Sequence, residues 1–128
     1  MPGRGECGLL PVGNQRSHRI LGFGTTAMPR KRRQGWNGPL ESIGFLERVH
    51  GFEVTWLPVA QFGQISMDDV RDALRPDTTL VTLMLSNNEI GTRHPVAQIE
   101  QAAHEVGALV HTDAVQALGW LPVDVAAL

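Results

Sequence analysis

Thr79, Leu80, Val81, Thr82, Leu83, Met84 and Leu85 form a nearly unbroken apolar and β-branched run of strand length. A strand apolar on both faces belongs in the middle of a sheet that is covered on both sides, the usual setting of parallel strands. A polar segment, residues 86–93, follows it. Pro95 then sits at a favourable first helical position, and Val96, Ile99, Ala103 and Val106 recur at spacings of three and four. Gly107 is the expected C-terminal cap, and residues 108–112 read as a second short strand that ends at Asp113. Strand, crossover helix and strand within about 35 residues make a βαβ unit, which crosses right-handed and belongs to an α/β layered sheet.

The preceding stretch carries the same alternation. Residues 40–49 read as a helix with a ragged apolar face of Leu40, Ile43, Phe45, Leu46 and Val49, stopped by Gly51. Residues 52–57 read as a strand with Phe52, Val54 and Trp56 on one face, limited by Pro58. Ser66 is placed to cap a helix running to Leu74, with Asp68 and Asp69 in its first turn, where the helix dipole favours negative charge. Arg75 and Pro76 close that helix.

Residues 1–39 are different material. They are Gly, Pro and Arg punctuation with short apolar runs at 8–12 and 20–23, neither long enough for a helix, and no core is assigned to them. Residues 1–50 carry a net charge of +5 and residues 51–128 one of −7. The chain of 128 residues has room for one domain, and 42% hydrophobic against 19% charged residues excludes wholesale disorder and a membrane bundle. Pro11, Gly13 and Asn14 break any signal-like apolar stretch, and the single cysteine, Cys7, leaves no internal disulfide, zinc site or iron–sulfur cluster. A reducing, cytoplasmic setting is expected, with no membrane partner. Ten of the eleven basic residues are arginines, so Lys31 is the one lysine available to amine chemistry.

In open α/β sheets, ligands bind outside the carboxyl ends of the strands. Two polar clusters fall there: Ser86, Asn87, Asn88 and Glu89 after the first buried strand, and Asp113 with Gln116 after the second. If the two strands are neighbours, the clusters converge on one crevice. Asp113 has no lysine or arginine near it in sequence, and a protonated pyridine nitrogen would suit it. A carboxylate in that role keeps pyridoxal phosphate protonated as an electron sink, with Asn88 and Gln116 as hydrogen-bond partners of the ring oxygen. The plainer alternative is that these polar residues only cap strand ends.

The run Leu85-Ser86-Asn87-Asn88-Glu89-Ile90-Gly91, then Pro95-Val96, then His111-Thr112-Asp113-Ala114-Val115-Gln116-Ala117-Leu118-Gly119, resembles the cysteine desulfurases of the class V aminotransferase group. Leu121-Pro122-Val123-Asp124-Val125 continues the resemblance, and Leu46-Glu47-Arg48, Gly51 to Thr55 and Gly63 extend it upstream, so that it covers residues 40–128. It implies part of the large domain of the aspartate-aminotransferase fold (fold type I), a mainly parallel sheet with crossover helices. It also implies a pyridoxal-phosphate-dependent homodimer that takes sulfur from L-cysteine, leaving alanine and an enzyme-bound persulfide, and passes the sulfur to an acceptor protein for uses such as iron–sulfur cluster assembly. Asp113 matches the aspartate that pairs with the pyridine nitrogen, and Gln116 and Asn88 match the residues at the ring oxygen. His111 is read as structural.

Three departures qualify the resemblance. The family's cofactor-bearing lysine, in a Ser-x-His-Lys stretch, and its sulfur-accepting cysteine belong beyond Leu128, and Cys7 is in the wrong part of the chain to replace the latter. A fragment inactive by itself, with no catalytic residue of its own, is therefore expected. Trp36 stands where the family has a cofactor-stacking histidine and cannot exchange a proton. Gly22-Phe23-Gly24-Thr25-Thr26 is only superficially like the family's phosphate-binding segment. Loss of resemblance near residue 40 is what a shifted reading frame in a GC-rich gene would produce. Selenocysteine lyases and other class V aminotransferases are the alternatives within the group. Outside it stand a non-catalytic interaction fragment and a nucleic-acid contact through Arg30, Lys31, Arg32 and Arg33, which lacks the recognition helix or stacking aromatics such binding uses.

Overall fold

The computed structural model describes residues 19–23, 37–87 and 90–126. Cys7, the basic residues 30–33, Trp36, Asn88 and Glu89 lie outside the described residues. Seven elements follow in order: β1 (Arg19–Phe23), α1 (Asn37–His50), β2 (Glu53–Leu57), α2 (Met67–Ala73), β3 (Thr78–Met84), α3 (Val96–Glu105) and β4 (Leu109–Asp113). The strands make one sheet in the order β2-β1-β3-β4, and every pairing is parallel.

The β3-α3-β4 unit is the βαβ unit read from the hydrophobic pattern. β3 pairs on both sides, and Val81, Thr82, Leu83 and Met84 are all buried, so both of its faces are covered. Val81 and Leu83 join Leu21 and Leu57 on the face packed by Val70 of α2 and by Val96, Ile99 and Ala103 of α3. Alternation along the strands turns Ile20, Thr82 and Met84 to the opposite face.

The helix ends follow local chemistry. Ser66 caps α2, its hydroxyl accepting the Asp69 N–H at 3.3 Å. Pro95 stands at the cap position of α3, one residue before the first helical residue, because its ψ of 66° is not helical. Gly107, at φ 79°, ends α3, with Gly107 N–H donating to His104 and Ala108 N–H to Ala103, the paired arrangement of a Schellman ending.

Two expectations need correction. Residues 1–39 were assigned no core, yet Ile20 and Leu21 are fully buried and β1 lies between β2 and β3. The reason is that its partners are distant: backbone pairing to β2 and β3 places a five-residue strand too short to show a period of its own. Helix α1 begins at Asn37 rather than residue 40, and of its expected apolar face Ile43 is buried and Leu46 half-buried, while Phe45 and Val49 are exposed.

Candidate functional site

β3 and β4 are neighbours in register, Met84 opposite Asp113, and the ladder is extended by Leu85 N–H donating to the Asp113 carbonyl at 2.8 Å. The two polar clusters therefore emerge side by side at the carboxyl ends of adjacent parallel strands, where open α/β sheets bind ligands.

The loop after β3 is closed by its own hydrogen bonds. Ser86 bridges Arg93 in antiparallel fashion, Asn87 N–H donates to Thr92 and Gly91 N–H to Asn87, both at 2.9 Å. The buried Asn87 adds its side-chain oxygen, which accepts the Ile90 N–H at 3.2 Å. Asn87 thus folds the loop, and the adjacent Asn88 lies outside the described residues.

After β4, Asp113 starts a helical turn. Its Oδ1 accepts the Val115 N–H at 3.0 Å, and the Ala114 carbonyl accepts the N–H groups of Ala117 and Leu118. This is the strand-end capping role that the sequence left open beside a cofactor role. Ala117 is buried and anchors the turn, so that Gln116 and Trp120 project from it into solvent.

Loop and turn enclose a pocket of about 360 Å³, lined on one side by Ser86, Asn87, Gly91 and Arg93 and on the other by Gln116, Trp120 and Leu121. Its size falls within the range of small-ligand sites, roughly 300–1,000 Å³. Gln116 lines it. Asp113, half-buried at the strand end that forms the adjoining edge, does not. Arg93 and Trp120 were not singled out from the sequence as lining residues; Trp120 reaches the pocket only because the turn after Asp113 winds back toward the loop. His111 is exposed, and its Nδ1 lies 2.8 Å from the Thr82 hydroxyl on β3. Among the described residues, no group of three or more His, Cys, Asp and Glu side chains is placed to hold a metal ion.

The chain is a parallel α/β sheet with a polar pocket at its carboxyl edge, the edge at which open sheets of this class bind ligands. The profile of the family described as aminotransferase class-V matches residues 35–128, and the chain belongs to that family. It is 51% identical over 86 residues to the cysteine desulfurase IscS of Methanosarcina thermophila, a match covering 67% of this chain and 21% of that protein. Identity to the cysteine desulfurase IscS of Dictyoglomus turgidum is 48% over 86 residues, covering 67% and 22%. Among solved structures, "SspA in complex with cysteine" superimposes with a TM-score of 0.70 at 34% identity, over 88% of this chain and 30% of that one. A pyridoxamine-pyruvate aminotransferase from Mesorhizobium loti, 19% identical with a TM-score of 0.60, shares the fold. The chain spans about a fifth of the length of the curated relatives it matches. It is a cysteine desulfurase-like class V aminotransferase fragment whose sheet has the fold type I arrangement.

Proposed function

We propose that the pocket between the Ser86–Arg93 loop and the Gln116–Leu121 turn is part of a pyridoxal-phosphate site of a cysteine desulfurase, and that these 128 residues do not perform the reaction alone. The observation that carries this reading is the convergence of Asp113, Gln116 and the loop after β3 at one edge of the sheet. The residues present fit the aromatic end of the cofactor: a carboxylate at a strand end, an amide beside it and a polar loop opposite.

When bound, pyridoxal phosphate supplies an electron sink for chemistry at an amino acid's carbon atoms. Asp113 would hold a proton on the pyridine nitrogen, and Gln116, with Asn88 by resemblance, would donate to the ring oxygen. The relatives' names and the cysteine in the SspA structure support L-cysteine as substrate. A homodimer, a sulfur-acceptor partner and a cytoplasmic setting belong to the same reading. Among the described residues, no helix is long and apolar enough to cross a membrane. Lys31 is the one lysine in the sequence and lies outside the region matched by the family profile.

The test uses the chain itself. Pyridoxal phosphate is titrated in while the tryptophan fluorescence of the chain, to which Trp120 at the pocket contributes, is followed, and the visible spectrum is recorded before and after borohydride. Quenching is expected, weakened about tenfold in Asp113→Ala and in Gln116→Ala by loss of one hydrogen bond to a charged or polar ring atom. No lysine adduct trapped by borohydride and no alanine formed from L-cysteine are expected. Quenching indifferent to both substitutions would sink the site, and a trapped lysine adduct would sink the claim of inactivity.

A further inference from the structure

We infer that His94, whose two ring nitrogens face backbone carbonyls from two other segments, is the positioning residue that clamps the wall of this pocket onto the body of the domain.

His94 immediately follows Arg93 and is 9% exposed. Its Nδ1 lies 2.7 Å from the carbonyl oxygen of Met84, and its Nε2 lies 2.9 Å from that of Gly63. Both partners are backbone carbonyls, which only accept. A neutral imidazole has one N–H, so it satisfies one of these contacts and sets a lone pair against the other; the imidazolium satisfies both. The two carbonyls lie 10 and 31 residues away in sequence, one at the end of β3 and one in the turn between β2 and α2. The ring therefore ties three separate segments together.

Two further contacts run along the same seam. The Thr92 hydroxyl donates to the Phe62 carbonyl, and Ile90 packs so closely on Gly63 that a Cβ there would stand 2.5 Å from Ile90 Cδ1. Ile90, Thr92 and His94 thus dock one side of the loop onto the Phe62–Gly63 turn, while Ser86, Gly91 and Arg93 of the same loop line the pocket.

The elements around the ring hold few charges. β3 and residues 58–65 contain no ionisable side chain, and the first in α3 is Glu100. On β4 they are His111 and Asp113, the latter in register with Met84. On the loop itself Arg93 faces the pocket and Glu89 lies outside the described residues. The two carbonyls are the polar partners that the ring finds in these contacts.

The inference rests on the proposed cofactor site only for what the wall is used for; the clamp is tested apart from it. In the ¹⁵N-labelled chain, a long-range nitrogen–proton spectrum is expected to show a His94 ring N–H that exchanges slowly with solvent. His94→Leu is expected to quicken exchange of the Asn87 and Gly91 amides about tenfold, and His94→Gln, which keeps N–H donors, to restore part of the protection. A ring N–H that exchanges freely overturns the clamp, as does wild-type protection in His94→Leu. If the Leu variant does not fold, the ring N–H of the wild type and the Gln variant decide. Failure of pyridoxal phosphate to quench the tryptophan fluorescence overturns the cofactor reading and leaves the ring and amide results to judge the clamp.

Discussion

At Gly22 the backbone of β1 passes beneath the indole of Trp56 on β2, its register partner. A Cβ added there would stand 2.5 Å from Cζ3 and 2.7 Å from Cε3, far inside contact distance and against the body of a rigid ring. Gly22→Ala is expected to destabilise the fold by about 1–3 kcal/mol, read as a lower urea midpoint. Adding Trp56→Ala removes the obstacle, so the double variant should be more stable than the sum of the two single effects; simple additivity would disprove the clash. Asn87 and Asp113 show how a single polar side chain at a strand end sets the course of the chain that follows. Asn87 closes the loop through its backbone and its amide oxygen, and Asp113 starts the turn that carries Gln116. The sequence placed both at strand ends, but their hydrogen-bond partners depend on how each loop curls.

Among the elements, α2 depends most on its ends, since seven residues give few internal hydrogen bonds for the cost of starting a helix. Ser66→Ala removes the acceptor for the Asp69 N–H and is expected to cost about 0.5–2 kcal/mol in a denaturant titration, whereas Ser66→Asp is expected to cost much less. Equal losses in the two variants would show that the cap is not what holds this helix. This helix, α3 and the flanking strands were legible because their signals are local: a capping serine, acidic residues in a first turn, apolar residues at three and four, and a glycine at positive φ. Helix α1 was less so. Its apolar positions cover more of its circumference than the neighbouring strand β2 can bury, and packing selects Ile43 and Leu46 from them.

For the molecule as a whole, the sheet leaves β4 at one edge of the described residues, with Leu109 67% exposed on it. Val115, Leu118, Trp120 and Val125 are exposed on the segment that follows. An open strand edge beside exposed apolar side chains favours association, so light scattering is expected to show an average mass that rises with concentration. Leu109→Lys should lower that rise, and a wild-type chain that stays monomeric over the range would refute the expectation. The sequence by itself determined the β3-α3-β4 unit and the parallel α/β class, through periodicity, caps and spacing carried within a few tens of residues, and the family through the resemblance of its motifs over residues 40–128. It placed Asp113 and the Ser86–Arg93 loop at strand ends, and the pairing of β3 with β4 brings them together. Only the tertiary structure decided that residues 19–23 form an interior strand and that His94 faces two carbonyls. Both depend on backbone hydrogen-bonding groups brought together from distant parts of the chain, and such groups are the same in every residue but proline, so no side-chain pattern announces them.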